Sequence, residues 1–95
     1  MVRWDLVSFV KRSSQRSKIL SLLKKPMTPS EIAKATGMYL THVSRTLREL
    51  RERNLVECLT PEERVGRYYR LTKLGKKILA EKERIFSKEV IENKS

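Results

Sequence analysis

Cysteine occurs once in these 95 residues, at Cys58, so neither an intrachain disulfide nor a cysteine-rich metal site can form. Its apolar, extended surroundings make structural burial a simpler reading than redox sensing, and a lone thiol fits a reducing compartment. His42 is the single histidine, which removes His-rich metal centres and any mechanism needing two imidazoles. No phosphate-cradling glycine loop, nucleophile elbow or paired-cysteine spacing occurs. The carboxylates fall on helix faces among lysines and arginines, where solvation or surface pairing accounts for them. No enzyme activity, metal or cofactor is therefore expected. Long apolar runs are also missing: Leu6-Val7 and Phe9-Val10 are broken by Ser8 and followed by Lys11-Arg12, too short for a signal peptide or membrane span. A soluble, cytoplasmic protein with no membrane partner is expected. Side-chain amides number only three, Gln15, Asn54 and Asn93, a scarcity that, beside abundant Lys, Arg and Glu, is found in heat-adapted proteins.

Acidic residues are half as many as basic ones, 11 against 22, leaving a net charge of +11. Such an excess favours polyanionic partners, nucleic acid first. The excess is uneven. Residues 1–27 carry seven basic groups against Asp5 alone, and residues 67–78 carry five with no acid, whereas residues 79–95 balance four against four. The last segment reads as a solvated helix with partners such as Glu81 with Arg84 and Lys88 with Glu92. A chain of this length buries only roughly 60 to 65% of its unfolded surface, so a second lobe with its own core is not expected.

What is present is a helix, a tight turn and a second helix. Thr28 suits an N-cap, Pro29 the first helical position, and Glu31 completes a capping box. Gly37 suits the left-handed residue that ends this helix, and Ile32, Ala33 and Thr36 leave it one narrow apolar face. In the following segment Val43, Leu47 and Leu50 recur at i, i+4 and i+7, so they define a buried side. Thr41, His42, Ser44, Arg45 and Arg48 then project elsewhere and carry no carboxylate. Asn54 stands where a helix can stop in the left-handed conformation, and a strand should follow at Leu55 to Leu59.

Ser13 or Ser14 can cap an earlier helix running to about Leu23, with Pro26 forbidding its continuation and Met27 adding a little strand pairing. Trp4 to Val10 forms an apolar segment suited to one short helix that needs covering. Leu55 to Leu59 and Arg67 to Leu71 make a hairpin around residues 60–66. Thr72 caps a last helix of roughly 18 residues, in which Leu74, Ile78, Leu79, Ile85, Phe86 and Val90 recur at helical steps.

The ordered set Glu31-Ile32-Ala33, Gly37, Val43-Ser44-Arg45, Leu47, Leu50, Asn54-Leu55-Val56 and the run from Gly66 to Gly75 resembles the winged helix-turn-helix regulators of the MarR and ArsR type, especially small archaeal ones. The resemblance spans about residues 14–79. It implies a mainly α fold with a small β-hairpin and a winged-helix core over 14–72; with the N-terminal apolar segment over 1–12 and the C-terminal helix over 73–92, the whole chain reads as one domain. It further implies a recognition helix over about 40–53 for the major groove of double-stranded DNA and a wing over 60–67 for the backbone or minor groove. Tyr39 and Leu40 depart from the pattern, standing where a small capping residue and a polar one are usual, so the start of the recognition helix is open by a residue or two. Thiol-based metal sensing is not implied, because Cys58 alone cannot supply the ligand set.

In that frame Arg45 is the candidate for bidentate contact with guanine, with Thr41, His42 and Ser44 beside it on base or phosphate. Leu40 has two readings, a thymine methyl contact or a contact inside the fold, the second favoured. Backbone contacts are expected from Arg16, Lys18, Thr28, Ser30, Tyr39, Arg48, Arg64 and Arg67, although Glu62 and Glu63 oppose a wing that approaches phosphate. Leu79, Ile85, Phe86 and Val90 are candidates for a two-fold dimer contact, favoured over a monomer. The leading expectation is a sequence-specific, nucleoid-associated transcription regulator. A DNA-coating architectural protein and a protein-docking winged-helix module are the alternatives.

Overall fold

The chain is described by a computed structural model at residues 3–60, 62 and 66–93, with side chains as far as residue 84. Element order is α1 (Trp4–Lys11), α2 (Ser14–Leu22), α3 (Pro29–Thr36), α4 (Leu40–Glu52), β1 (Val56–Cys58), β2 (Tyr69–Leu71) and α5 (Lys73–Asn93). The N-terminal apolar segment is thus one short helix. Both strands are shorter than their apolar patterns, three residues each, paired antiparallel with Val56 opposite Leu71 and Cys58 opposite Tyr69. Met27 extends the pairing by an isolated bridge to Tyr69.

Local chemistry sets the boundaries of these helices. The Ser13 hydroxyl accepts from the Arg16 amide at the start of α2. At α3 the Thr28 hydroxyl accepts from the Glu31 amide at 3.2 Å while the Glu31 carboxylate accepts from the Thr28 amide at 2.9 Å, the reciprocal pair of a capping box. Gly37 closes α3 at φ 73°. Helix α4 ends in a Schellman arrangement: Asn54 sits at φ 60°, its amide donates to the Arg51 carbonyl, and the Leu55 amide donates back to the Leu50 carbonyl. The Thr72 hydroxyl accepts from the Gly75 amide and so caps α5.

The core gathers one face from every helix: Leu6, Val7 and Val10 of α1, Ile19 and Leu20 of α2, Ile32 of α3, Val43, Leu47 and Leu50 of α4, and Ile78 and Leu79 of α5. Leu55, Val56 and Leu71 close it from the hairpin side. Gly75 makes a tight junction there, because a Cβ at this position would lie 1.9 Å from the Leu55 carbonyl oxygen. Helix α5 packs on α1, α2 and β2. Leu79, expected at a contact between subunits, is only 4% exposed and lies in the core of the single chain. The other expected dimer residues, Ile85, Phe86 and Val90, lie outside the described side chains, as does the Lys88–Glu92 pair. The Glu81–Arg84 ion pair forms. Cys58 is half-buried in β1. None of the helices, among the described residues, is long and apolar enough to cross a membrane.

Candidate nucleic-acid interface

Helix α4 presents two opposed sides, and the 3.6-residue period assigns each residue to one of them. Val43, Leu47 and Leu50 are at most 1% exposed, while Thr41, His42, Ser44, Arg45 and Arg48 are all exposed. Thr46 joins the buried side, its hydroxyl donating 2.9 Å to the His42 carbonyl one turn back, which disposes of a polar atom the interior could not otherwise satisfy. The acids of α4, Glu49 and Glu52, stand in its last turn, and Glu49 is bound to Arg16 at 2.9 Å. No carboxylate therefore faces solvent between positions 41 and 48.

Two grooves run along this exposed side. One, about 570 Å³, lies between α4, the N-terminus of α3 and the base of the wing; its walls include Thr28, Ser30, Ser44, Arg48, Arg51 and Arg67. The other, about 370 Å³, is lined by Leu40, Thr41, Ser44, Arg45 and Arg48. Leu40, Ser44 and Arg48 border both, forming a ridge with one helical turn between successive members. Three arginines around a groove with hydroxyl side chains make a cradle for an anion, and the positive end of α3 points into the same wall. The exposed Glu31 carboxylate is a local counterweight. Its pKa is held below the usual range, first by the hydrogen bond from the Thr28 amide, so it remains ionised beside the helix start.

The structure brings together most, but not all, of the residues expected here. Thr28, Ser30, Leu40, Thr41, Ser44, Arg45, Arg48 and Arg67 line the two grooves. Tyr39 is 77% exposed at the N-cap position of α4, where its ring meets His42 edge-on at 5.8 Å and makes no side-chain capping bond. Helix α4 therefore begins at Leu40. Leu40 is 51% exposed and stands outside the buried core, lining both grooves. Arg64 lies outside the described residues, as does Glu63.

Two cations are placed elsewhere. Arg16 donates to the Phe9 carbonyl at 2.9 Å and to Glu49 at 2.9 Å, and its guanidinium lies 3.9 Å from the centre of the Phe9 ring. It clamps α1 and α2 to the end of α4 instead of reaching outward. Arg53 lies over the same ring at 4.2 Å. Lys18 borders a separate groove with Ser21, Thr36 and Lys82, away from α4's exposed side. Conversely, Arg51 lines the larger groove although it was not among the expected contact residues. Its position was available as a helical step, since 44, 48 and 51 stand at i, i+4 and i+7. Among the described residues no group of three or more His, Cys, Asp or Glu side chains could hold a metal ion.

Comparison with known proteins places this arrangement. The family model for the HVO_A0261 N-terminal domain matches residues 4–93. Solved structures share the fold: the reduced form of MarR from E. coli has 23% identity and a TM-score of 0.77 over 94% of this chain and 68% of its own. A point mutant of MarR from E. coli, solved in complex with operator DNA, has 22% identity and a TM-score of 0.76, covering 92% of this chain and 64% of that one. The transcriptional regulator BldR from Sulfolobus solfataricus has 18% identity and a TM-score of 0.72, covering 84% and 59%. The chain therefore spans about six tenths to two thirds of the length of these regulators. No curated protein matches it. The five helices and antiparallel hairpin share the winged helix-turn-helix fold of these MarR structures.

Proposed function

We propose that this chain, which belongs to the HVO_A0261 N-terminal domain family, is a sequence-specific transcription regulator that inserts α4 into the major groove of double-stranded DNA. The observation that carries this reading is the exposed, acid-free side of α4 from Thr41 to Arg48, held outward by the burial of Val43, Leu47 and Leu50. A helix of this width fits the major groove, where base edges present distinct donor and acceptor patterns. Arg45 takes a guanine through its guanidinium fork. Thr41, His42 and Ser44 hydrogen-bond base edges or adjacent phosphates. Arg48, Arg51, Arg67 and Ser30 hold the backbone around the larger groove. The complex of MarR with operator DNA supports the reading by likeness of fold.

The protein acts as a binding module, without catalysis and without a resident cofactor, in the cytoplasm on the nucleoid. It works as a homodimer. Helix α5 has 21 residues, a length of about 31 Å, and its half beyond Glu81 carries the apolar series Ile85, Phe86 and Val90 that a second copy covers.

Selection of bound duplexes from a random pool tests the proposal, run beside sedimentation for mass. A consensus should emerge, and Arg45→Ala should weaken binding to the selected duplex by about 1–3 kcal/mol while barely changing binding to random DNA. For a dimer neutralising about eight to twelve phosphates, log affinity should fall against log salt with a slope of about −7 to −11. Absence of any consensus rejects sequence-specific reading, and equal losses on both DNAs reject base contact by Arg45.

A further inference from the structure

Recognition helices of this kind meet base edges with their N-terminal residues. In α4 the first residue is Leu40, which offers neither donor nor acceptor. It stands 51% exposed, outside the core, at the head of the ridge that continues through Ser44 and Arg48. Half of this aliphatic side chain is still exposed to water, so further apolar surface remains to be buried against a partner. The major groove presents one apolar group on its base edges, the C5-methyl of thymine. Beside Leu40, the Tyr39 ring meets His42 edge-on while staying 77% exposed. The residues flanking Leu40 on the smaller groove, Thr41, Ser44 and Arg45, are all hydrogen-bonding.

We infer that Leu40 reads a thymine by packing against its C5-methyl, so that the recognised sequence carries a preferred thymine beside the base pair contacted by Arg45. The inference rests on α4 entering the major groove. Its chemistry differs from that of the polar residues around it: Arg45 discriminates by hydrogen bonds, Leu40 by shape and desolvation. Uracil has the same hydrogen-bonding edge as thymine and lacks only the methyl. Replacing one by the other therefore isolates this contact.

The test uses a duplex selected by the full chain from a random pool, with each thymine replaced singly by deoxyuridine. The wild-type protein should lose about fourfold in affinity at the thymine read by Leu40, the loss expected from exposing one methyl-sized group, and little at thymines outside the contact. Leu40→Ala, at a half-exposed helix position that tolerates truncation, should bind the parent duplex more weakly and show no further loss at that uracil. Tyr39→Ala should retain the wild-type sensitivity. Wild-type binding that is indifferent to uracil at every position overturns the inference, as does sensitivity that persists in Leu40→Ala or disappears in Tyr39→Ala. Failure of the wild-type chain to select any duplex strikes instead at the reading of α4 as a DNA-binding helix.

Discussion

Arg16 gives the sharpest separation between a residue that serves the fold and one that serves a ligand. Its side chain is 20% exposed, and truncation to alanine removes three interactions at once. The hydrogen bond from a charged guanidinium to the Phe9 carbonyl contributes about 1.5–3 kcal/mol. The half-exposed pair with Glu49 adds about 0.5 kcal/mol, and the stacking over Phe9 about 0.5–1 kcal/mol. Against these stands the buried Arg16 Nε, which has no partner, and relief of that desolvated donor returns about 1 kcal/mol. Arg16→Ala should therefore destabilise the chain by about 1.5–3.5 kcal/mol in urea unfolding at fixed protein concentration. Arg16→Lys keeps the charge but cannot reach Phe9 and Glu49 with one planar fork, so it should recover less than half of the loss. In a DNA titration on the folded variant, the salt slope should remain that of the wild type. A phosphate ligand behaves oppositely: stability unchanged, the slope shallower by about one, and lysine an adequate substitute. That second pattern refutes the clamp.

Other perturbations probe the junctions that aim α4. Gly75→Ala places a methyl against the backbone of Leu55, which no side-chain rotation relieves; denaturant unfolding should show a loss of about 3 kcal/mol. Asn54→Ala keeps the Schellman hydrogen bonds but puts an alanine at φ 60°, with an expected cost of about 1 kcal/mol, whereas Asn54→Gly should be neutral or better by the same assay. Glu31 has its pKa depressed in the folded state, chiefly by the Thr28 amide. Its contribution is then present above the unfolded-state value and lost as pH falls through the folded-state value. Unfolding midpoints measured between about pH 6 and 3 should decline less steeply in Glu31→Gln than in the wild type. Truncating either member of the exposed Glu57–Arg70 pair across the hairpin should change stability by less than about 1 kcal/mol.

Much of the architecture is legible along the chain because it depends on neighbours in sequence. The capping box at Thr28 and Glu31, the left-handed ends at Gly37 and Asn54, and the i, i+4, i+7 spacing of Val43, Leu47 and Leu50 each express chemistry within one or two helical turns. So does the exposed side of α4: once three apolar residues fix the buried face, the period assigns Thr41, Ser44, Arg45 and Arg48 to the other. The apolar strand patterns overran the hairpin for a related reason. Beyond the Cys58–Tyr69 pair only one backbone bond among the described residues continues the hairpin, from the Leu59 amide to the Tyr68 carbonyl, and the Tyr68 amide then turns to the Thr60 hydroxyl instead of a backbone carbonyl.

The sequence by itself determined the succession of helices, the turn between α3 and α4, and which side of α4 faces away from the interior, since local backbone and periodic burial dictate all three. Only the tertiary structure decided the fate of the long or ambiguous side chains. Arg16 and Lys18 are equally basic in sequence, yet one folds back onto Phe9 and Glu49 and the other borders a separate groove. Leu79 and Leu40 are equally apolar, yet α5 delivers the first into the core while the start of α4 leaves the second half exposed. A flexible cation takes the partner within its reach and a leucine is buried only where another surface meets it, and both depend on how distant segments pack.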